Sequence, residues 1–218
     1  MRATSAGAGA RLGPARAIVA LSRGRFESPD GRARELFTAL AKEREVVFVE
    51  APIAADPGVP DSWEIQFAAP RLLVCRPVVH AAGGGYEKAP PARVASMIRK
   101  LLRWQGVEEY LVWLDTPHAV PTAQRLDPPF LVYSCADVLW NERGEADPGL
   151  VKLEAELVRE ADLVLVAEPS QERMSATRAA VRVLADLEEA ERVPRSIRRQ
   201  RVLRAPPARR PRRRELVR

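Results

Sequence analysis

The chain is poor in the residues that carry most metal and redox chemistry. It has two histidines and two cysteines in 218 residues. They stand far apart, with neither CxxC nor HExxH spacing, so no metal site and no cofactor are expected. Cys75 and Cys135 each sit inside an apolar run, where a buried free thiol is the expectation. No run of eighteen apolar residues occurs, which argues against a membrane-spanning helix. The opening MRATSAGAGARLGPAR lacks the continuous apolar stretch of a secretory signal, which leaves the cytoplasm as the expected compartment. Phosphate-cradling glycine loops of the GxGxxG and GxxxxGK types are missing. So is a DxD carboxylate pair.

Net charge is also small over most of the chain, where the two signs nearly balance. The net charge of +6 is misleading, because residues 192–218 hold twelve arginines against one acid, Glu215. Residues 1–191 are left at −5, so the basicity belongs to a tail and not to the body. No aromatic residue occurs after Trp140, so the tail has no side chain on which to stack bases, and nucleic acid is not the expected partner.

What is present is an alternation of short apolar runs and amphipathic segments. AIVALS (Ala17–Ser22) is apolar and closed by glycine, as in a buried parallel strand. GRARELFTALAKE places Leu36, Phe37, Leu40 and Ala41 on one helical face. VVFVE (Val46–Glu50) comes next as a second strand, and strand–helix–strand implies a right-handed crossover. Residues 51–62 read as a Pro-rich loop. WEIQF (Trp63–Phe67) and LLVCRPVV (Leu72–Val79), the latter interrupted by Pro77, read as a hairpin or two edge strands. Gly83–Gly85 is a turn. A helix is expected from Pro91 to Gln105, with Pro91 in its first turn.

The second half repeats the pattern. Strands are expected at Tyr110–Pro117, Phe130–Asp137, Asp162–Glu168 and Val181–Leu184. Helices are expected at Val120–Leu126, Leu150–Ala161 and Ser170–Thr177. The whole predicts an α/β fold: a doubly wound, mostly parallel sheet of six or seven strands. Residues 1–15 are expected to be disordered, 16–184 to form the domain, and 185–218 to form an Arg/Pro-rich tail. The abrupt change of texture after Leu184 suggests a frameshift in a GC-rich gene, with a genuine polyanion-binding tail as the rival reading.

Four segments resemble bacterial glycosyltransferases of the GT-B fold, the group that includes teichuronic-acid and other cell-surface polysaccharide enzymes. They are RFESPDGRARELFTALAKEREVVFVEAP, LVWLDTP, FLVYSCAD (with Ser134 where an aspartate is common) and the span Leu153–Ala167 containing Glu154 and Ala161-Asp162. The resemblance covers residues 16–184 and implies a Rossmann-like, acceptor-side amino-terminal domain. It implies sugar transfer from a nucleotide-sugar to a sugar or lipid-linked acceptor, in cell-surface or exopolysaccharide synthesis. The donor would bind a second Rossmann-like domain that the residues after Leu184 cannot supply, so this polypeptide alone is expected to be inactive. The enzyme would work in the cytoplasm or peripherally against the inner membrane face, and the resemblance leans towards retention of configuration.

Ligands in open parallel sheets bind outside the carboxyl ends of the strands, which selects the candidate site residues. Gly24 lets a backbone approach a ligand and Arg25 can pair with a phosphate, although an ordinary strand-to-helix turn would look the same. Asp115, Thr116 and His118 come after the Tyr110 strand. Asp115 and His118 are the weak catalytic candidates, able to orient or deprotonate an acceptor hydroxyl, with a cap or turn as the alternative. Asp137 is an acceptor-binding candidate at the end of the Phe130 strand. His80 reads as a solvent-facing loop residue, Glu154 as part of a solvated helical face, and Trp104 and Trp113 as core aromatics.

Overall fold

The computed structural model describes residues 17–29, 31–135, 147–166 and 180–183. Residues 1–15, Asp137, the expected helix Ser170–Thr177 and everything from Leu184 onward lie outside these. Among the described residues nine strands form one sheet in the order β3-β5-β2-β1-β6-β7-β8-β9, with β4 pairing β5 on its other side. The strands are β1 (Ala17–Leu21), β2 (Glu45–Val49), β3 (Ile53–Ala54), β4 (Ser62–Ala69), β5 (Leu72–Val79), β6 (Tyr110–Leu114), β7 (Leu131–Cys135), β8 (Leu163–Val166) and β9 (Ala180–Val183). The β4–β5 pairing is antiparallel, and the others are parallel. The fold is α/β and Rossmann-like, and the strand order changes direction at β1, between β2 and β6.

Helix α1 (Arg32–Ala41) covers one face, burying Phe37, Leu40 and Ala41. There they join Ile18, Ala20, Val46, Phe48 and Trp113. Phe37 packs edge-on against Phe48 at 5.1 Å and Trp113 at 5.7 Å, the arrangement that ring quadrupoles favour. The opposite face is covered by α2 (Pro91–Trp104), α3 (Val120–Leu126) and α4 (Pro148–Glu160). Val94, Ile98, Leu101 and Leu102 of α2 pack there on Val19, Leu21, Val47 and Val112. Period-two alternation thus divides β1 between two cores, Ile18 and Ala20 on one side, Val19 and Leu21 on the other. Asp147 caps α4, its Oδ1 accepting from the N–H groups of Gly149 at 2.8 Å and Leu150 at 3.3 Å.

The mostly parallel, doubly wound sheet matches the expectation, with nine strands among the described residues where six or seven are expected. Ile53–Ala54, inside the expected loop, forms β3; two residues are too few to show a period. Two other expectations are corrected. The hairpin alternative holds for β4 and β5, which pair antiparallel; the alternative of two edge strands fails for β5, an interior strand paired with β2, β3 and β4. Pro77 is tolerated because its missing N–H faces the gap where the neighbour changes from β2 to β3. The flanking carbonyls of Cys75 and Val79, on that same side, accept from Glu50 and Ala55. Trp104 is 71% exposed, not core. It is the last residue of α2, just ahead of the left-handed turn at Gly106 (φ 69°), so the chain leaves before anything covers its ring. Trp113 is buried, and so are the free thiols of Cys75 and Cys135.

Candidate functional site at the strand switch point

In an open parallel sheet, the crevice forms where adjacent connections leave for opposite faces. Here α1 comes after β1 on one face and α3 after β6 on the other, so the crevice opens beyond Leu21 and Leu114. Ser22, Arg23, Gly24 and Arg25 leave the end of β1; Asp115, Thr116 and His118 leave the end of β6. The parallel register sets Leu21 beside Leu114, which brings the two segments together although they lie far apart in the chain. The Ser22 hydroxyl donates to Asp115 Oδ2, and the Arg23 N–H donates to Asp115 Oδ1 at 3.0 Å. Ser22 Oγ in turn accepts from the Gly24 N–H at 3.1 Å. Asp115 therefore ties down the whole start of the β1–α1 loop, and leaves the Arg23 and Arg25 side chains exposed.

A second carboxylate holds the same loop at Phe26, midway between β1 and α1. Glu50, just beyond β2, accepts from the Phe26 N–H through Oε1 at 2.8 Å. Its Oε2 accepts from Arg76 Nε at 2.8 Å and from a second guanidinium nitrogen of Arg76. The side chains of Arg76 and Glu50 are 11% and 8% exposed, so this is a desolvated pair whose partner groups are nearly all supplied by protein. Arg76 also reaches Glu64 at 3.1 Å, and the exposed Arg25 approaches Glu50 at 4.0 Å. Beneath these groups lies Tyr86, whose hydroxyl donates to the Val49 carbonyl at 3.1 Å. Burial, then the negative charges of Asp115, Cys75 and Glu50, raises the Tyr86 phenol well above its usual value. The Cys75 thiol is likewise pushed up, by burial first and Glu50 second.

Thr116 is buried and His118 half-buried; Thr116 precedes a short 3₁₀ turn, Pro117–Ala119, and His118 lies within it. Gly24 has no left-handed φ, and a Cβ added to it would meet Ser22 Oγ at an ordinary 3.7 Å. The backbone itself therefore does not require glycine there. Asp137 lies outside the described residues. His80 is exposed in its loop, with its N–H donating to Asp61 at 3.1 Å.

Sequence reasoning misses Glu50, Arg76 and Tyr86. Arg76 carries a usable signal: a guanidinium inside LLVCRPVV has to find a partner when the strand is buried. Glu154, expected on a solvated face, is a correction: it is buried, accepting from the Tyr133 hydroxyl at 2.8 Å and from the Cys135 thiol at 3.5 Å. Burial, then Cys135 and Glu154, raises the Tyr133 phenol. Among the described residues no group of three or more His, Cys, Asp or Glu could hold a metal ion, and no helix is long and apolar enough to cross a membrane. A separate cavity of about 470 Å³, lined by Leu114, Ala123, Gln124, Leu157, Glu160 and Asp162 among others, lies between α3 and α4. It extends towards the start of β7 and is lined by none of the polar residues that follow β1 and β6.

No family model matches the chain, and no curated protein matches it. Among solved structures, it is similar to sucrose-phosphate synthase from Thermosynechococcus elongatus, at TM-score 0.48 and 14% identity over 78% of this chain. It is also similar to a trehalose-6-phosphate structure from E. coli bound with UDP-2-fluoro glucose, at TM-score 0.48 and 11% identity over 76% of this chain. The chain spans about half the length of each, 48% in both cases. These likenesses concern the path of the chain and assign no residue a role.

Proposed function

We propose that the described residues form the acceptor-side lobe of a GT-B glycosyltransferase, one that transfers a sugar from a nucleotide-sugar to a sugar or lipid-linked acceptor in cell-surface or exopolysaccharide synthesis. The reading is supported by the four sequence segments that resemble such enzymes. The single structural observation that carries it is the β1/β6 switch point, where Asp115 ties the two strand ends together and the segments that leave them carry the exposed Arg23 and Arg25 and the half-buried His118. A sugar is dense in hydroxyls, and a charged, hydrogen-bonding rim of this kind is what its recognition requires.

The roles divide by geometry. Both oxygens of Asp115 already accept hydrogen bonds from Ser22 and Arg23, so Asp115 acts as a positioning residue. His118 is left as the group able to accept a proton from, or orient, an acceptor hydroxyl. Arg25, and Arg23 beside it, suit a phosphate on the acceptor or on an incoming donor. The nucleoside diphosphate of the donor belongs to a facing second lobe.

The test is NMR titration of the full chain with neutral hexoses and with hexose phosphates. Amide shifts confined to Ser22–Phe26 and Asp115–Ala119, weakened by Arg25→Ala, are expected. Shifts clustered around Gln124 and Glu160 would move the binding site to the α3–α4 cavity and overturn the assignment; no response to either sugar class would remove its basis.

A further inference from the structure

The sheet ends at β4, and that end is unusually bare. All residues from Ser62 to Ala69 are exposed or half-buried; Ile65 is 42% and Phe67 68% exposed. Among the described residues β4 pairs only with β5. The ladder shows which of its backbone groups are spare. The N–H and C=O of one strand residue point to the same side, and the side alternates along the chain. Since the carbonyls of Cys75 and Val79 bond Glu50 and Ala55, the odd-numbered residues of β5 face away from β4. The even-numbered Val74, Arg76 and Val78 must therefore bond β4, opposite Gln66, Glu64 and Ser62.

The outward N–H and C=O groups consequently belong to Trp63, Ile65 and Phe67, whose side chains share one face of the sheet. Spare hydrogen bonds and apolar side chains fall on the same three residues, with Ile65 and Phe67 exposed and Trp63 half-buried against the core. Of the devices that normally blunt an edge, this stretch holds one charge, Glu64, which is taken up by Arg76. The stretch has no proline or lysine, and the bulge comes only after Phe67.

We propose that β4 is a dimerisation edge, pairing antiparallel with β4 of a second copy about a two-fold axis through Ile65. That register sets Ile65 opposite its own counterpart, and each Trp63 opposite the Phe67 of the other copy. All are hydrogen-bonded positions, and their side chains make one apolar strip across the joint. It also sets each Glu64 opposite a Gln66, so no carboxylate meets another. An axis through Glu64 would bring two carboxylates face to face and would present backbone groups already used by β5. An axis through Phe67 would run into the bulge. The second copy is thus the occupant that this strand's own chemistry fits.

Sedimentation velocity of the full chain over a wide concentration range tests this. A reversible monomer–dimer equilibrium is expected for the unaltered protein. Ile65→Pro removes an outward N–H without touching the β5 ladder, and should leave only monomer, with the circular dichroism spectrum unchanged. Gln66→Lys creates two opposite-charge cross-strand pairs per dimer and should lower the dimer Kd about 2- to 10-fold. Gln66→Glu should raise it by a similar factor. A monomer at every concentration overturns the proposal. So does a dimer whose Kd ignores both Gln66 substitutions, a readout that still decides if Ile65→Pro fails to fold.

Discussion

The stretch from Ser22 to Phe26 is held at its two ends by two carboxylates in different surroundings. Asp115 is half-buried, accepts from neutral donors of the loop itself, and borders exposed arginines. Glu50 is buried, and its charge is matched by a guanidinium that is itself almost wholly out of water. A polar group at the rim of a crevice can exchange a loop contact for a ligand contact. A desolvated ion pair cannot, because either partner alone would be left as an uncompensated charge. The Asp115 end is therefore where binding is expected, and the Glu50 end is the anchor that keeps binding geometry reproducible.

The sharpest way to break this comparison is Arg76→Met. It strands Glu50 and should cost about 3–5 kcal/mol, read as a lower urea midpoint tracked through tryptophan fluorescence. A loss no larger than that of a surface substitution would mean that Glu50 is solvated and the two ends are alike. Raising the pH probes the same region more gently. Cys75 and Tyr86 have raised values in the folded state. Above pH ~9 the unfolded chain begins to release these protons while the folded chain keeps them. Stability is thus unaffected below that pH and should fall above it by about 1.4 kcal/mol per pH unit for each group titrating only when unfolded. Cys75→Ala should flatten the first part of the fall; a flat profile up to pH ~11 would contradict the burial of both groups.

Tyr133→Phe removes a donor from the buried Glu154 and should cost about 1–3 kcal/mol, without altering ligand shifts at the switch point. Asp115→Asn keeps the shape but loses charge and one acceptor oxygen. About 1 kcal/mol of stability should go, while acceptor-induced shifts at Ser22–Phe26 should be largely lost. Equal losses of binding for Asp115→Asn and Tyr133→Phe would erase the distinction between rim and interior. The smallest change in stability belongs to Gly24→Ala, within about 0.5 kcal/mol, since the added methyl meets only ordinary contact. If it nevertheless weakens sugar binding, the glycine is there for the ligand's approach.

The sequence can be read for β1, α1 and β2 because apolar runs and the helical period of Leu36, Phe37 and Leu40 are local properties. The same reading finds the strand ends carrying Ser22–Arg25 and Asp115–His118, since a polar residue that closes an apolar run marks where the strand leaves the core. Glu154 shares its helix with Glu156 and Glu160, and its spacing of four from Leu150 and three from Leu157 already puts it on the inward face. What no local period shows is the distant Tyr133 hydroxyl that satisfies it there. Arg76 and Glu50 are separated by twenty-six positions, and their pairing depends on β2 lying beside β5.

By itself, then, the sequence determined the succession of strands and helices, the parallel character of most of the sheet, and which polar residues close which strands. Each of these depends on neighbours within a few residues. Tertiary structure alone decided that Asp115 meets Ser22, that Arg76 neutralises Glu50, and that β4 rather than β5 is left at the edge. Those outcomes depend on the order of strands across the sheet, which brings together groups that no local period connects.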